Sequence, residues 1–591
     1  MPGALILDGH SRAAVEATQS LGRAGVEVTV CANEPQSVAF GSRHARHKLE
    51  QPPPVPVEGF IAWLRELDSR HCYDLIIPST ESSLQAFLAL PEEDPLRARA
   101  VLPSRHALRI ALQRDLTWRL ATEVAVPVPA QRLIDALPDV IGASTFPRVL
   151  KPVRSKAVER GELKTFAPVI VRDAAARSSV LQDWVPRMAV LDQEYVPGWG
   201  VGIEVLYGNG KLLWHFAHER LHEWPLTGGA STYRRAIEPP EGMLAAARRM
   251  LDALEWHGVA MVEFKRRRDG SFALMEINPR LWGSLALSVA AGVDFPLGLW
   301  QLATGAPLPA QPRYRRGLRV RHLSTDIAWQ KANFLANHRD PFLLTRPRVR
   351  SLLEPALVLV GRERWDHFRW SDPGPMWREL RQMARTVVSA GQRQGRIQRM
   401  LRRRDRVIAR SATRLAAVRG SRPPLLVMLC QANICRSPFA ALVARTRLAN
   451  CRIASAGFDP RADRHTPPNV AEEAIRMGVD MSECRSTPVS EELLRAADLI
   501  LFMDLKQYDE LRSRFPQHLE RAVPLGLFAE PVTVEIEDPN HQDAIVTRRI
   551  LIQIEDAVAR LAEMLGLGKD LEDWPEDPPG QTSGGLRRRR S

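Results

Sequence analysis

The sequence predicts a multidomain α/β protein, and three observations carry that prediction. At 591 residues the chain exceeds what one hydrophobic core organises, so three or four domains are expected. It opens as strand, turn, helix, strand: apolar residues 4–7, the turn Gly9-His10-Ser11-Arg12, a helix over 13–21 and a strand over 26–31. Far downstream, the continuous apolar run 425–429 leads through a Cys-x5-Arg-Ser loop into a helix over 439–448, again strand-to-helix geometry.

Composition narrows the class. With 45% hydrophobic and 25% charged residues the chain is globular, and no apolar run approaches a membrane span. Asp8 interrupts the short apolar stretch at the start, so no signal peptide is expected there, and the sequence reads as soluble and cytoplasmic. Six cysteines in so long a chain argue against a disulfide framework. The net charge of +14 is uneven, with much of the arginine between 393 and 422. No zinc-finger spacing or aromatic ribonucleoprotein motif accompanies it, so no specific nucleic-acid partner is expected, only general attraction to anions.

Taken in order, the opening unit lacks a GxGxxG fingerprint, which favours scaffold and part of a substrate cleft over dinucleotide binding. Residues 75–81 read as a buried strand ending in Ser79, Thr80 and Glu81; ligands collect at such carboxyl ends, making Glu81 a substrate-site candidate. A helix over 116–125 and Val126-Pro127-Val128-Pro129 precede a strand over 146–152 that carries Lys151. The stretch 154–164 has only Gly161 to let backbone approach a ligand closely. Then come Gln193-Glu194-Tyr195-Val196-Pro197-Gly198, a strand with Glu204, a segment with Arg220, and the pair Gly228-Gly229, either a close-approach site or an ordinary turn. Residues 261–284 form a hairpin: alternating strands flank Arg268-Asp269-Gly270. Glu263 and Glu276 fall on neighbouring strands, and Asn278, two residues on, shares the face of Glu276. Three hard oxygen donors at one end suit Mg2+ that is also bound to phosphates.

Glu263 with Glu276-Ile277-Asn278-Pro279-Arg280 resembles the metal-binding signature of the ATP-grasp superfamily. The resemblance implies a preATP-grasp α/β domain at 1–113 and an ATP-grasp domain of two α+β lobes at 114–310. It also implies ATP with Mg2+ (or Mn2+), and joining of a small-molecule carboxylate to an amine or thiol through an acyl-phosphate. By the same resemblance Lys151 and Arg220 contact phosphate, while Glu194, with the backbone of Tyr195 and Val196, reads adenine. Glu204 meets ribose hydroxyls or faces solvent. Arg280, beside the metal ligands, suits a transferring phosphoryl group. Segment 154–164 takes the place of the phosphate-covering loop; being glycine-poor, it needs Ser155 and Lys156 to compensate, or it is a poor lid.

Residues 311–422 read as a partly helical connector. Residues 368–373 form a strand or turn, and 376–418 a helical stretch whose arginines cover more than one face, as in a solvated linker or a weak contact with an anionic surface. Arg422-Pro423-Pro424 breaks it.

The loop Cys430-Gln431-Ala432-Asn433-Ile434-Cys435-Arg436-Ser437 has a direct chemical logic. Backbone N–H groups at a helix start surround a phosphate dianion, Arg436 grips it, and the same field stabilises a thiolate at Cys430 to which Ser437 donates. With Ser455-Ala456-Gly457, residues 497–504 and Asp538-Pro539, this loop resembles the low-molecular-weight protein tyrosine phosphatases over 423–566, a doubly wound parallel-sheet domain. The resemblance implies Cys430 as nucleophile, Asp538 as general acid, Asn433 as the residue that shapes the loop, and a phosphorylated protein or phosphomonoester as substrate. Cys435 matches a cysteine that can pair protectively with the nucleophile, or is a small buried residue. Ala432 replaces the usual Gly, and Asn540 and His541 replace the usual aromatics. The tail at 567–591, ending in Arg587 to Arg590, reads as disordered. A bifunctional ligase and phosphatase is thus expected; the alternative is a phosphatase regulated by a nucleotide-binding, catalytically weak ATP-grasp module.

Overall fold

The computed structural model describes residues 3–136, 145–159, 162–185, 187–459, 461–540, 542 and 544–567. Gly161, His541 and the tail from 568, including Arg587 to Arg590, lie outside these. The chain divides into two compact units, 1–385 and 386–591.

In the first unit, the opening strand Gly3–Ile6 is apolar and buried throughout, as a parallel strand covered on both faces must be. It lies between Glu27–Ala32 and Leu75–Ile77, with Ala45–Glu50 at the edge. The helix Arg12–Arg23 starts where the Ser11 side chain accepts from the Ala14 N–H. Downstream, Gln131–Ile134, Val190–Glu194, Arg148–Pro152 and Val169–Val171 make an antiparallel four-stranded sheet. The stretch read as a phosphate-covering loop is a hairpin of Lys156–Glu159 and Glu162–Thr165.

A seven-stranded sheet dominates this unit, in the order Phe272–Asn278, Gly258–Arg266, Trp199–Gly208, Lys211–Trp224, Ala230–Ile237, Arg319–Arg321, Glu363–Trp365. The predicted hairpin at 261–284 is its edge, with Glu263 directly opposite Glu276. Its last two strands correct one expectation. Residues 311–385 are no connector: they extend this sheet and bury Trp329 and Arg321, while residues from 386 belong to the second unit.

The second unit is a parallel sheet in the order Arg452–Gly457, Leu425–Cys430, Leu499–Phe502, Ala522–Pro524, with the helices Arg436–Arg447 and Ala544–Met564 packed together on it. The arginine-rich stretch is two helices, Gly374–Arg402 and Arg404–Arg419. It is not merely solvated. Ile408 and Leu415 sit in the same core cluster as Leu426 and Phe439, and Arg396, Arg404 and Arg422 donate to Asp509, the Leu527 carbonyl and Asp498. These three cations are engaged within the unit, while Arg399, Arg402, Arg403, Arg406 and Arg410 are exposed. Among the described residues no single helix is long and apolar enough to cross a membrane.

Candidate active sites

In the first unit a cleft of about 970 Å3 opens over the hairpin. Because Glu263 and Glu276 are paired across the strands, their carboxylates converge, and the Asn278 amide donates to both, at 3.1 and 3.2 Å. Arg280 donates to the Asn278 carbonyl oxygen at 3.3 Å. Arg220 lies 2.5 Å from Glu263, and Arg114 3.7 Å from Glu276. Lys151, on the neighbouring sheet, lines the same cleft.

Burial and then the nearby Arg114 push the Lys151 amine down to about 8. Burial raises the Glu263 carboxyl, with Arg220 opposing; at Glu276 burial is outweighed by Arg114 and Lys151, which hold it below the usual carboxylate range. Two acids in one buried site thus diverge, as adjacent like charges must unless a cation joins them. The two convergent carboxylates fit a hard divalent cation, while the Asn278 amide presents its NH2 to them and its oxygen to Arg280.

Tyr195 and Val196 line the cleft, as do Gly228, Gly229 and Ser79 to Glu81. Gly198, at the end of the stretch 193–198, has φ +132°, and a Cβ there would meet the Arg266 carbonyl, so the residue must be glycine. Glu194 is not among the lining residues and pairs with Arg267 at 3.2 Å. Glu204 is fully buried, 2.9 Å from the His218 ring and accepting from Ser284; neither ribose nor solvent reaches it. Every residue from 200 to 207 is buried, so alternation along this strand does not mark an outer face. Sequence reasoning passed over Arg12, Arg114, Glu223 and Lys265, which also line the cleft. Arg12 had a usable signal, its place in the turn at the carboxyl end of the first strand. Arg114 merely begins a helix, and its donation to Ser155 at 2.8 Å depends on tertiary packing.

In the second unit Cys430 ends its strand and is 2% exposed. Its Sγ accepts from the Asn433 N–H at 3.2 Å and the Ser437 hydroxyl at 3.0 Å, two donors aimed at the sulfur. Asn433 has φ +52°, tolerated because Asn favours that region, and it is locked by donating to Ser437 at 2.9 Å and accepting from the Thr487 N–H at 2.8 Å. Ala432 has no positive φ, so its Cβ fits without strain. Arg436 donates through Nη1 to Asp504 and the Ile536 carbonyl, and through Nη2 to Asp538 at 2.7 Å. Burial opposes its charge, but Asp538, Cys430 and Asp504 hold its pKa up. Cys435 is buried and free, its thiol pushed up by burial. A neighbouring cleft of about 930 Å3 is bordered by Arg436, Asp504, Asp538 and the arginines 393 and 396.

Residues 425–571 match the family model described as low molecular weight phosphotyrosine protein phosphatase. This stretch is 32% identical over 133 residues, 22% of this chain and 90% of the relative, to a probable low molecular weight protein-tyrosine-phosphatase EpsP of Ralstonia nicotianae. The chain belongs to that phosphatase family. The phosphatase domain is also 23% identical over 144 residues to a protein-arginine-phosphatase of Bacillus subtilis, covering 24% of this chain and 95% of that protein. Upstream of the phosphatase domain, residues 187–326 match the model described as ATP-grasp in the biosynthetic pathway with Ter operon, so the chain joins an ATP-grasp domain to the phosphatase. Solved structures similar to it include an N5-carboxyaminoimidazole synthetase from Staphylococcus aureus (16% identity, 56% of this chain and 86% of that one, TM-score 0.43). Another is an L-amino acid ligase from Bacillus licheniformis (15% identity, 54% and 78%, TM-score 0.40).

Proposed function

We propose that the chain is a bifunctional cytoplasmic enzyme: an ATP- and Mg2+-dependent ligase joining a carboxylate to an amine (or thiol), and a cysteine-dependent phosphatase acting on a phosphorylated protein or other phosphomonoester. The observation that carries it is Cys430 Sγ facing two hydrogen-bond donors in a loop closed by Arg436 and Asp538.

In the phosphatase, a phosphate dianion displaces Asp538 from Nη2 of Arg436, while Asp504 and the Ile536 carbonyl keep the guanidinium aimed. The Cys430 thiolate attacks phosphorus as the ester oxygen departs, and Asp538, freed from Arg436 and having taken a proton from solvent, gives that proton to the departing oxygen. Asp538 then takes a proton from the water that cleaves the phosphocysteine, returning thiolate and inorganic phosphate. Ser437 and the Asn433 N–H stabilise sulfur as leaving group in this second step.

In the ligase, MgATP supplies the phosphoryl group that activates the carboxylate as an acyl-phosphate. Glu263, Glu276 and Asn278 would hold the metal, and Lys151, Arg220 and Arg280 offset phosphate charge. Tyr195 and Val196, which line the cleft, would read the base through their backbone groups.

Changing Cys430 to Ser should lower turnover of p-nitrophenyl phosphate at least about a thousandfold. ADP release from ATP, Mg2+ and pools of carboxylates and amines should persist in that variant and vanish in Glu276→Gln. Retained phosphatase turnover in Cys430→Ser overturns the phosphatase mechanism; nucleotide binding without substrate-dependent ADP release overturns the ligase in favour of a regulatory module.

A further inference from the structure

Behind the cleft residue Arg12, three buried side chains converge that neither active site uses. His322 immediately precedes the helix Leu323–Leu335, His367 follows the strand Glu363–Trp365, and Glu379 lies early in the helix Gly374–Arg402. Their side chains are 10%, 4% and 5% exposed. Nε2 of His322 lies 3.4 Å from one Glu379 oxygen, and Nδ1 of His367 lies 3.1 Å from the other. One ligand atom from each residue falls within 4.8 Å of the others.

Nδ1 of His322 lies 2.8 Å from the Thr325 hydroxyl and 3.4 Å from the Ser324 hydroxyl, so these outer partners hold the ring with Nε2 facing the carboxylate. In the tautomer that donates from Nδ1 to Thr325, Nε2 turns a lone pair into the space shared with Glu379 and His367. In the second imidazole, Nδ1 of His367 faces Glu379 while Nε2 is buried without a hydrogen-bond partner among the described residues.

We infer that His322, His367 and Glu379 bind a divalent transition-metal ion, zinc best matching the donors. Imidazole and carboxylate are donors zinc takes at roughly 2.0–2.2 Å. Tetrahedral geometry at that length holds neighbouring donors roughly 3.4 Å apart, close to both imidazole–carboxylate separations here. Thr325 would act as the outer partner that fixes the His322 tautomer, an arrangement that accompanies metal-bound histidine. The ion would tie together three segments that approach one another only through tertiary packing, beside an Arg12 whose charge Glu379 helps sustain. Its role is structural, distinct from the hard-cation site at Glu263 and Glu276.

The full chain with Cys430→Ser, which removes the competing thiolate, is stripped with chelator and reloaded with zinc chloride under excess Mg2+. One zinc per chain should survive gel filtration, and none after adding Glu379→Gln or His322→Asn. Cobalt(II) reloading should show a four-coordinate spectrum lacking sulfur charge-transfer bands. Absence of retained zinc, or equal zinc with and without Glu379→Gln, overturns the site. Where the ligand variants fail to fold, the cobalt spectrum of the Cys430→Ser chain decides: four-coordinate nitrogen and oxygen ligation supports the site, and a six-coordinate spectrum overturns it.

Discussion

Lys151 shows how far a single charge depends on its surroundings. Its ammonium is buried beside Arg114, which lowers its pKa to about 8, and two carboxylates only partly restore it. Bound polyphosphate favours the charged amine, so affinity should hold below pH 8 and weaken as pH rises through it, by up to about tenfold per unit. Calorimetric titration of MgADP between pH 6.5 and 9.5 checks this, and Lys151→Arg should flatten the profile; a flat wild-type profile would sink the assignment of Lys151 to phosphate. The sequence places Lys151 on a strand and names its role by resemblance, but Arg114 enters only through folding. Glu204 marks the opposite limit. Its strand alternates like a half-exposed one, yet the sheet is covered on both faces there and burial drives its carboxyl well above the usual range.

At the scale of elements, the helix Arg404–Arg419 looks polar in sequence because arginines dominate it. Ile408, Ser411 and Leu415 nevertheless recur at helical spacing and are its buried face. Leu415→Ala should cost about 2–5 kcal/mol of the second unit's stability, whereas an exposed change such as Arg410→Ala should stay within about 0.5 kcal/mol. Urea unfolding followed by phosphatase turnover distinguishes them, and equal midpoints would return this helix to the status of a solvated linker. The hairpin at 261–284 was more legible, because strand alternation and a Gly turn are local signals that survive into the sheet. The strands Arg319–Arg321 and Glu363–Trp365 were not, since three residues carry too short a pattern and their pairing partners lie far away in sequence.

For the whole molecule, each compact unit has its own buried clusters, one around the seven-stranded sheet and another around the parallel sheet bearing Cys430. Scanning calorimetry should therefore resolve two transitions. MgADP should raise one and inorganic phosphate the other, because a ligand stabilises only the unit that binds it. A single transition moved by both ligands would contradict that independence.

The sequence by itself grouped the residues proposed for the phosphatase site, because Cys430, Asn433, Arg436 and Ser437 lie within eight consecutive residues at the start of a helix. It also determined the paired carboxylates, since strand periodicity sets which residues share a face. Tertiary structure alone decided which charges meet them: Arg114 reaching Glu276, Asp504 steadying Arg436, Glu204 withdrawn beside His218, and His322, His367 and Glu379 brought together. Local pattern sets a side chain's direction from its own backbone, but the partner it finds depends on packing between segments distant in the chain.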